Sequence, residues 1–172
     1  MQSATALVGP HAGVLDWLAS HEVEYEIHEH AASFTARGTA HAEGVSPDTF
    51  AKVVAVTTGD RRVLLVVDAT DHVDLRKARH VLDAHDVRLL GEDDLNELAP
   101  DCETGALPAI GALYGVPMFA DFAVREDAQI SFNAGSHRFS VRVDRADWER
   151  ATGVTFADLA EDRERRPAWI RS

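Results

Sequence analysis

The chain of 172 residues has the size and composition of a globular protein, with 45% hydrophobic and 27% charged residues and no apolar run near the ~18 residues that cross a bilayer. Its net charge of -12 argues against a protein that holds nucleic acid through a broad basic face, because neutralised phosphates normally supply most of that affinity. Cys102 stands alone, which excludes an internal disulfide, and the N-terminus lacks the basic and apolar regions of a signal peptide, so we expect a cytoplasmic protein.

The first part of the chain predicts helices and strands that lead into a β-hairpin. The expected elements are a flexible leader over 1–10, a helix over 11–20, a half-buried strand over 21–30 with Val23, Tyr25 and Ile27 on one side, a short helix over 35–43, and a one-turn element begun by Ser46 and Pro47. Gly59 and Asp60 separate two β-branched runs, 53–57 and 63–67. This pattern is typical of a hairpin turn.

Capping residues indicate where helices begin and end in the rest of the chain. The expected elements are a helix over 75–82 begun by Asp74, a short strand over 87–90, a helix from Glu92 to near Leu98, strands over 118–124, 129–132 and 138–143, a helix from Asp144 to Gly153, a last short helix capped by Thr155, and a charged tail from Glu161. No internal repeat or linker appears, so we expect one domain over 1–172 with a core over about 14–160.

Lys52 stands at the entrance of the first strand of the hairpin. Burial of an ammonium group without a partner is unfavourable by several kcal/mol. One interpretation is a lysine that lays its stem over the strand and ends in water. The other is a fixed positive charge at the mouth of a pocket, where it would bind a carboxylate or a phosphate.

Two further segments carry groups that suit a binding site. Residues 105–111, here called the glycine loop, contain two glycines and a proline, which excludes a regular helix. Residues 133–137, here called the polar turn, carry amide, hydroxyl and imidazole groups. Glycine lets backbone N–H groups approach a ligand closely, so a site with few catalytic side chains can still stabilise an oxyanion. We expect both segments to converge with Lys52.

Other reactive side chains lack the spacing of a catalytic or metal site. His28 and His30 share one strand face, but no second cluster has metal-ligand spacing, so we expect no metal and no cofactor. No serine-histidine-acid order and no phosphate-cradling GKS or GKT motif occurs. Cys102 is an isolated thiol that we expect to be passive rather than nucleophilic.

Four marks occur in a set order along the chain. They are the lysine of Phe50-Ala51-Lys52, the helix start Asp74-Leu75-Arg76-Lys77, the loop Gly105-x-x-Pro108, and the turn Asn133-Ala134-Gly135. Their order and spacing, from about Val14 to Leu159, resemble the family of YbaK and prolyl-tRNA-synthetase-associated editing domains. The resemblance implies an α+β fold with a mixed, largely antiparallel sheet that is curved around a pocket and flanked by helices.

The resemblance also implies a site. In the family, the lysine that matches Lys52 is required for activity and lies close to the terminal adenosine and its aminoacyl group, so Lys52 is the expected catalytic residue. The expected substrate-binding residues are His30, Phe34, Gly105, Ala106, Leu107, Pro108, Asn133, Ala134, Gly135, Ser136 and His137. His30 stands where some relatives carry a phenol, and Ser136-His137 differs from the continuation in others, so both places bear on substrate preference.

The implied activity is that of a trans-acting aminoacyl-tRNA deacylase, which hydrolyses the ester of a tRNA mischarged with a small amino acid. Proline, alanine, serine and cysteine esters all remain open. The alternative is a non-catalytic module that binds an aminoacyl-nucleotide or a translation partner protein. The expected partners are the aminoacylated 3′ end of tRNA, bound transiently, and an aminoacyl-tRNA synthetase; we expect no DNA and no membrane. Arg61-Arg62 and Arg76-Lys77-Arg79 are either contacts to the acceptor stem or plain surface charge.

Overall fold

The computed structural model describes residues 9–30 and 49–162. Its helices are α1 (Ala12–Ser20), α2 (Leu75–Val81), α3 (Glu92–Leu98) and α4 (Arg145–Thr152). Its strands are β1 (Tyr25–Glu29), β2 (Ala51–Thr58), β3 (Arg61–Asp68), β4 (Arg88–Leu89), β5 (Met118–Asp121), β6 (Gln129–Asn133), β7 (Phe139–Asp144) and β8 (Thr155–Ala157). Two 3-10 helices, Gly111–Tyr114 and Phe122–Glu126, flank β5. No described helix exceeds nine residues, well short of the ~20 needed to cross a bilayer.

The strands form two sheets that meet beside β2. One sheet has the order β1-β7-β6 and the other has the order β4-β2-β3-β5-β8. Neighbouring strands are antiparallel, except that β5 is parallel to both β3 and β8. A parallel bridge between Phe50 and Ser131 joins the two sheets, and the N–H of Ser131 donates to the Thr49 carbonyl at 3.0 Å. The α+β class with mixed, largely antiparallel pairing is confirmed, but the strands are divided between two sheets.

The central hairpin follows from its turn residues. β2 and β3 pair from Thr58↔Arg61 to Ala51↔Asp68, which leaves a loop of two residues between them. Gly59 has a φ of +58°, in the left-handed region that glycine adopts at little cost. The predicted hairpin is therefore confirmed.

Three predicted helix ends are also confirmed, because short-range hydrogen bonds determine them. Asp74 caps α2 by accepting from the N–H of Arg76 at 2.9 Å. Burial opposes ionisation of Asp74, but the hydrogen bonds from Arg76 outweigh it and lower the pKa of this carboxyl. Asp144 caps α4 by accepting from the N–H of Asp147 at 2.9 Å, and Gly153 ends that helix with a φ of +64°.

Two apolar clusters lie on opposite faces of β2. The main core includes Ala51, Ala55, Leu107, Phe132, Ala134 and Trp148. The second cluster includes Val56, Val63, Leu65, Val67 and Ala78 of α2, with Val54 packed against it. Because side chains alternate along a strand, Lys52 leaves β2 on the face of the second cluster.

The last predicted helix is wrong, because residues Thr155–Ala157 form a strand. This strand, β8, pairs in parallel with β5. Just beyond it, the N–H groups of Leu159 and Ala160 donate to the Asp121 carboxylate at 2.8 and 2.9 Å. Hydrogen bonds to a residue 38 positions away thus satisfy the backbone and outweigh the local capping signal.

Two predicted strands are shorter than their sequence patterns. The strand expected over 118–124 ends at Asp121, whose carboxylate accepts from the N–H of Ala123 at 3.0 Å and so caps the following 3-10 helix. The strand expected over 21–30 is β1, which lies at the edge of its sheet. Ile27 of β1 is 47% exposed and does not enter the core.

Several predicted elements lie outside the described residues. The helix over 35–43, the element begun by Ser46 and Pro47, and the position of Phe34 lie outside the described residues. Most of the leader over 1–10 and of the charged tail lies outside them as well.

Candidate functional site

The polar turn contacts the segment that leads into the glycine loop. The N–H of Glu103 donates to the Gly135 carbonyl at 2.9 Å. The Glu103 carboxylate accepts from Ser136 Oγ and from the N–H of His137, both at 3.2 Å. His137 Nε2 lies 2.7 Å from the Thr104 carbonyl oxygen. The structure therefore brings together two of the three segments that the sequence singles out.

The contact to Thr104 determines the proton position on His137. A carbonyl oxygen only accepts, so His137 Nε2 carries a proton and donates, and Nδ1 of the neutral ring is then an acceptor. Ser136 is fully buried, and its Oγ also accepts from the N–H of Arg138 at 3.0 Å. The side chains of Ser136 and His137 thus link the two segments to each other.

The rest of the glycine loop is anchored in the core. Ala106, Leu107 and Pro108 are buried, whereas Gly105 is exposed. The fully buried Trp148 donates from Nε1 to the Ala109 carbonyl at 2.7 Å. Of the seven loop residues, all of them described, Gly105 alone is exposed to solvent.

Gly105 and Gly135 have the backbone conformation that favours glycine. Their φ angles are +84° and +78°. Within the described part of the chain, no hydrogen bond engages the backbone N–H of either glycine. Gly135 is also closely packed, since an added Cβ would lie 2.9 Å from His11 Cβ and 3.3 Å from Cys102 Sγ. Both N–H groups are therefore candidate donors to an oxyanion.

Asn133 places a buried acceptor beside these glycines. The residue is 9% exposed, and its backbone pairs with Ser140 of β7. Its Oδ1 is buried and has no hydrogen-bond partner among residues 9–30 and 49–162. Most buried polar atoms in proteins are hydrogen-bonded, so this oxygen is suited to a donor group on a ligand.

Lys52 is half-buried, and its ammonium group is held at the end of β3. Its Nζ donates to the Asp71 carbonyl at 2.6 Å. Asp71 itself is 2% exposed, and its N–H donates to the Asp68 carbonyl at 2.8 Å. Lys52 is thus neither a surface lysine nor one whose stem simply ends in water.

His30 lies next to the polar turn. It is 8% exposed, and its N–H donates to the Arg138 carbonyl at 2.9 Å. The remaining expected residue of this region, Phe34, is outside the described residues.

Three of the five basic residues that the sequence suggested for tRNA contact have acidic neighbours, namely Arg62, Arg76 and Lys77. The Arg62 guanidinium lies within 3.7 Å of two carboxylates of α3. Lys77 Nζ donates to Asp158 and Asp162, at 2.9 Å in both cases, and these hydrogen bonds raise the pKa of Lys77. Much of the positive charge is therefore compensated within the chain.

A groove of about 610 Å³ lies beside α2, and none of the expected catalytic or substrate-binding residues lines it. Its lining includes the exposed ring of Phe122, together with Lys77, Asp74, Asp158 and Asp162. Arg76 also lines the groove, and it is paired with Asp74 just as Lys77 is paired with Asp158 and Asp162. The groove therefore offers little uncompensated positive charge to a phosphate backbone.

No group of three histidine, cysteine or acidic side chains among the described residues could hold a metal ion. His28 Nε2 lies 3.3 Å from the Glu26 carboxylate, in an exposed pair. His30, in contrast, is buried.

Cys102 lies close to the polar turn, in contact with Gly135 and with a phenol. Its Sγ is 3.0 Å from Tyr114 Oη. Burial raises the pKa of the Cys102 thiol; the Tyr114 hydrogen bond opposes this shift, and the charge of Asp101 adds to it. Burial likewise raises the pKa of Tyr114. A thiol in these surroundings is a poor nucleophile at neutral pH.

We therefore expect Cys102 to react slowly with iodoacetamide. At pH 8 the folded protein should be alkylated about tenfold or more slowly than the same protein unfolded in urea, because a raised thiol pKa and burial both lower the concentration of accessible thiolate. Mass spectrometry over time measures the rate, and the chain's single cysteine makes the signal unambiguous. Equal rates in the two states would contradict a passive role.

Sequence reasoning missed the residues that join the two segments. Glu103 and Thr104 directly precede the glycine loop. The Glu103 carboxylate and the Thr104 carbonyl accept hydrogen bonds from residues that lie 33 or 34 positions away in the sequence. The N–H of His11 donates to the Ala134 carbonyl at 2.9 Å and fixes the other side of the turn. A glutamate next to a glycine-bearing loop is a weak sequence signal for a residue of the site. No local sequence pattern identifies the residues that it contacts.

Comparison with solved structures finds the same fold in several proteins. A proposed trans-editing enzyme for prolyl tRNA synthetase is 22% identical, with a TM-score of 0.77 over 87% of this chain and 96% of its own. The hypothetical protein APE2540 is 16% identical, with a TM-score of 0.79 over 87% of this chain and 99% of its own. A proposed signal transduction protein from Marinobacter aquaeolei VT8 is 15% identical, with a TM-score of 0.72 over 90% of this chain and 32% of its own. At these identities the similarity establishes the fold alone.

Sequence comparison gives the family. No curated protein matches the chain. The model of the aminoacyl-tRNA editing domain matches residues 30–151, well over half of the chain, and this span contains Lys52, the glycine loop and the polar turn. The chain therefore belongs to the aminoacyl-tRNA editing domain family.

Proposed function

We propose that the protein is a trans-acting deacylase that hydrolyses the ester bond of a tRNA mischarged with a small amino acid. The observation that carries the proposal is that the family match includes every candidate site residue, from His30 to the polar turn. A tRNA substrate also locates the proposed activity in the cytoplasm.

The backbone of the two segments supports stabilisation of the oxyanion. The N–H groups of Gly105 and Gly135 have no acceptor among the described residues, and neither glycine needs a side chain to act. In the proposal, one of these N–H groups donates to the ester carbonyl oxygen as it becomes negative. A well-aimed donor of this kind contributes about 3 kcal/mol to the transition state.

The buried Oδ1 of Asn133 supports recognition of the aminoacyl group or its ribose. This atom requires a donor, and an aminoacyl ester offers an α-ammonium group and a neighbouring ribose hydroxyl. A donor that satisfies a buried acceptor improves binding, whereas a ligand without one leaves the acceptor unpaired at a cost of about 1–3 kcal/mol. Asn133 thus favours the aminoacylated end of tRNA over an uncharged apolar ligand.

The sheet connection supports a place for Lys52 in the same site. Phe50 and Ser131 form a parallel bridge, and Lys52 and Asn133 each follow this bridge by two residues in the same direction. Adjacent strands are about 4.8 Å apart at such a bridge, so the two backbones run close together there. In the proposal, the Lys52 ammonium group fixes a phosphate or hydroxyl of the terminal adenosine.

The proposed reaction needs no protein nucleophile. A water oxygen bonds to the ester carbonyl carbon, the bond from that carbon to the ribose oxygen breaks, and the ribose oxygen takes up a proton that the water loses. The products are the free amino acid and a tRNA with an unesterified ribose. Orientation of the terminal adenosine supplies much of the rate enhancement, because correctly positioned groups replace a bimolecular encounter.

The proposed substrate carries one of four small amino acids. Proline, alanine, serine and cysteine esters differ by about one methylene or one polar atom, and a small pocket separates such neighbours by only about 1–3 kcal/mol. Acidic neighbours compensate the positive charges of Arg62 and Lys77. In this proposal the protein therefore binds the body of the tRNA weakly, and a synthetase supplies part of the affinity.

A panel of mischarged tRNAs tests the proposed function. We expect the protein to release at least one of proline, alanine, serine or cysteine from a non-cognate tRNA at least about 100-fold faster than the uncatalysed rate, measured with radiolabelled amino acid. The same tRNA charged with its cognate amino acid is the control for specificity.

The alternative is a binding module, which the acidic surroundings of the basic residues favour. If no member of the panel loses its amino acid while the protein still binds a non-hydrolysable aminoacyl-adenosine analogue, the deacylase proposal is wrong and the binding module is correct.

A further inference from the structure

Glu103 contacts both segments of the candidate site, and no sequence pattern predicted these contacts. Its two carboxylate oxygens accept from Ser136 Oγ and from the N–H of His137. Its own N–H donates to the Gly135 carbonyl, and its carbonyl accepts from the N–H of Ala106 at 3.0 Å. One half-buried residue is thus bonded both to the glycine loop and to the polar turn.

These bonds hold the groups that the proposed reaction uses. Gly105 lies two residues after Glu103, and Asn133 lies two residues before Gly135. The position of the Gly105 N–H relative to Asn133 Oδ1 therefore depends on the Glu103 contacts. A shift of about 1 Å between such groups lowers a rate by about 100-fold.

The same contacts argue against Glu103 as a general base. A general base must have an oxygen that can accept a proton from the attacking water. Both oxygens of Glu103 accept one hydrogen bond each from the polar turn, and these bonds orient the carboxylate toward the turn, although each oxygen keeps a second lone pair. A glutamine at this position distinguishes the two roles, because an amide can still bond to the turn but cannot take a proton from water.

We propose that Glu103 is a positioning residue, which holds the Gly105 N–H and the polar turn in register for the ester and does not itself react. The proposal rests on the deacylase function proposed above. It assigns to the carboxylate a role in the rate of the chemical step, beyond any contribution to folding.

Two substitutions separate positioning from base catalysis. Glu103→Ala removes both carboxylate contacts. Glu103→Gln retains them in altered form, because its oxygen can accept from the N–H of His137 and its amide can donate to Ser136 Oγ, which keeps one lone pair beside the bond that it accepts from Arg138. Glu126→Ala removes the same charge from an exposed residue at the end of the 3-10 helix after β5, and it is the matched control.

We expect Glu103→Ala to lower kcat for deacylation about 30- to 100-fold, with KM changed less than about threefold. Glu103→Gln should recover kcat to within about fivefold of the parent, and its pH profile should be unchanged. Glu126→Ala should match the parent. Amide NMR spectra, recorded below the unfolding transition of each variant, should show shifts at Gly135 and His137 in Glu103→Ala.

Three results would overturn the proposal: parental kcat in Glu103→Ala, a loss in Glu103→Gln as large as in Glu103→Ala, or unshifted Gly135 and His137 amides. If the parent protein releases no amino acid, the deacylase function fails, and affinity for a non-hydrolysable alanyl-adenosine analogue then tests positioning. In that case Glu103→Ala should bind the analogue about tenfold more weakly than the parent, and equal affinity would overturn the role of Glu103.

Discussion

Replacing Lys52 by alanine should lower kcat for deacylation about 100- to 1,000-fold while the fold is retained. The physical reason is that a half-buried ammonium group, held at 2.6 Å from the Asp71 carbonyl, is a charge of fixed position, and loss of one preorganised electrostatic group at a reaction centre has an effect of this size. Single-turnover release of amino acid from the mischarged tRNA identified in the panel measures the change.

Lys77→Ala is the matched control, because the chain contains only these two lysines and each substitution removes one positive charge. Lys77 Nζ is bonded to Asp158, Ala160 and Asp162, none of which is an expected site residue, so its loss should leave kcat within about twofold of the parent. Lys52→Arg should not restore activity fully, since a guanidinium differs in shape and donor geometry from an ammonium group. Full activity in Lys52→Ala would remove Lys52 from the site.

Replacing Trp148 by alanine should lower the free energy of unfolding by about 3–5 kcal/mol. Trp148 is fully buried in the main core, and its indole N–H donates to the Ala109 carbonyl at the buried end of the glycine loop. The substitution leaves both a cavity and an unsatisfied carbonyl. Urea unfolding followed by circular dichroism measures the change, and an unchanged slope with denaturant would indicate the same unfolded state.

A second variant of Trp148 separates the contribution of its donor from that of its ring, and a variant of Trp17 is the control. Trp148→Phe keeps most of the ring but removes the donor, so it should cost about 1–3 kcal/mol for the unpaired carbonyl. Trp17→Ala removes a half-buried indole that stacks on His21 with a centroid distance of 3.9 Å, and it should cost less than either Trp148 variant. A larger loss for Trp17→Ala would contradict the assignment of Trp148 to the centre of the core.

Elements defined by neighbouring residues could be predicted from the sequence. Gly59 and Asp60 form the hairpin turn, and Asp74 and Asp144 begin helices by accepting from N–H groups two or three residues ahead. The end of α4 at Gly153 follows from the same short range. These signals succeed because the interacting groups are adjacent in the chain and act before any tertiary contact forms.

The prediction of a helix begun by Thr155 failed for the opposite reason. The segment is bonded to Asp121 and to β5, and nothing within it reports those partners. Ile27 is a similar case, since its alternation predicted an inward side chain, yet the strand lies at a sheet edge where that face is exposed.

The sequence alone determined which groups are available: the lysine at a strand entrance, Gly105 and Gly135, the amide of Asn133, and the family to which they belong. Only the tertiary structure decided how they are arranged. It joined the glycine loop to the polar turn through Glu103, bonded Lys52 to Asp71, and left Asn133 Oδ1 buried without a partner in the described chain. The physical reason is range, because each of these contacts joins groups far apart in sequence, and their energies depend on burial that exists only after the sheets have packed.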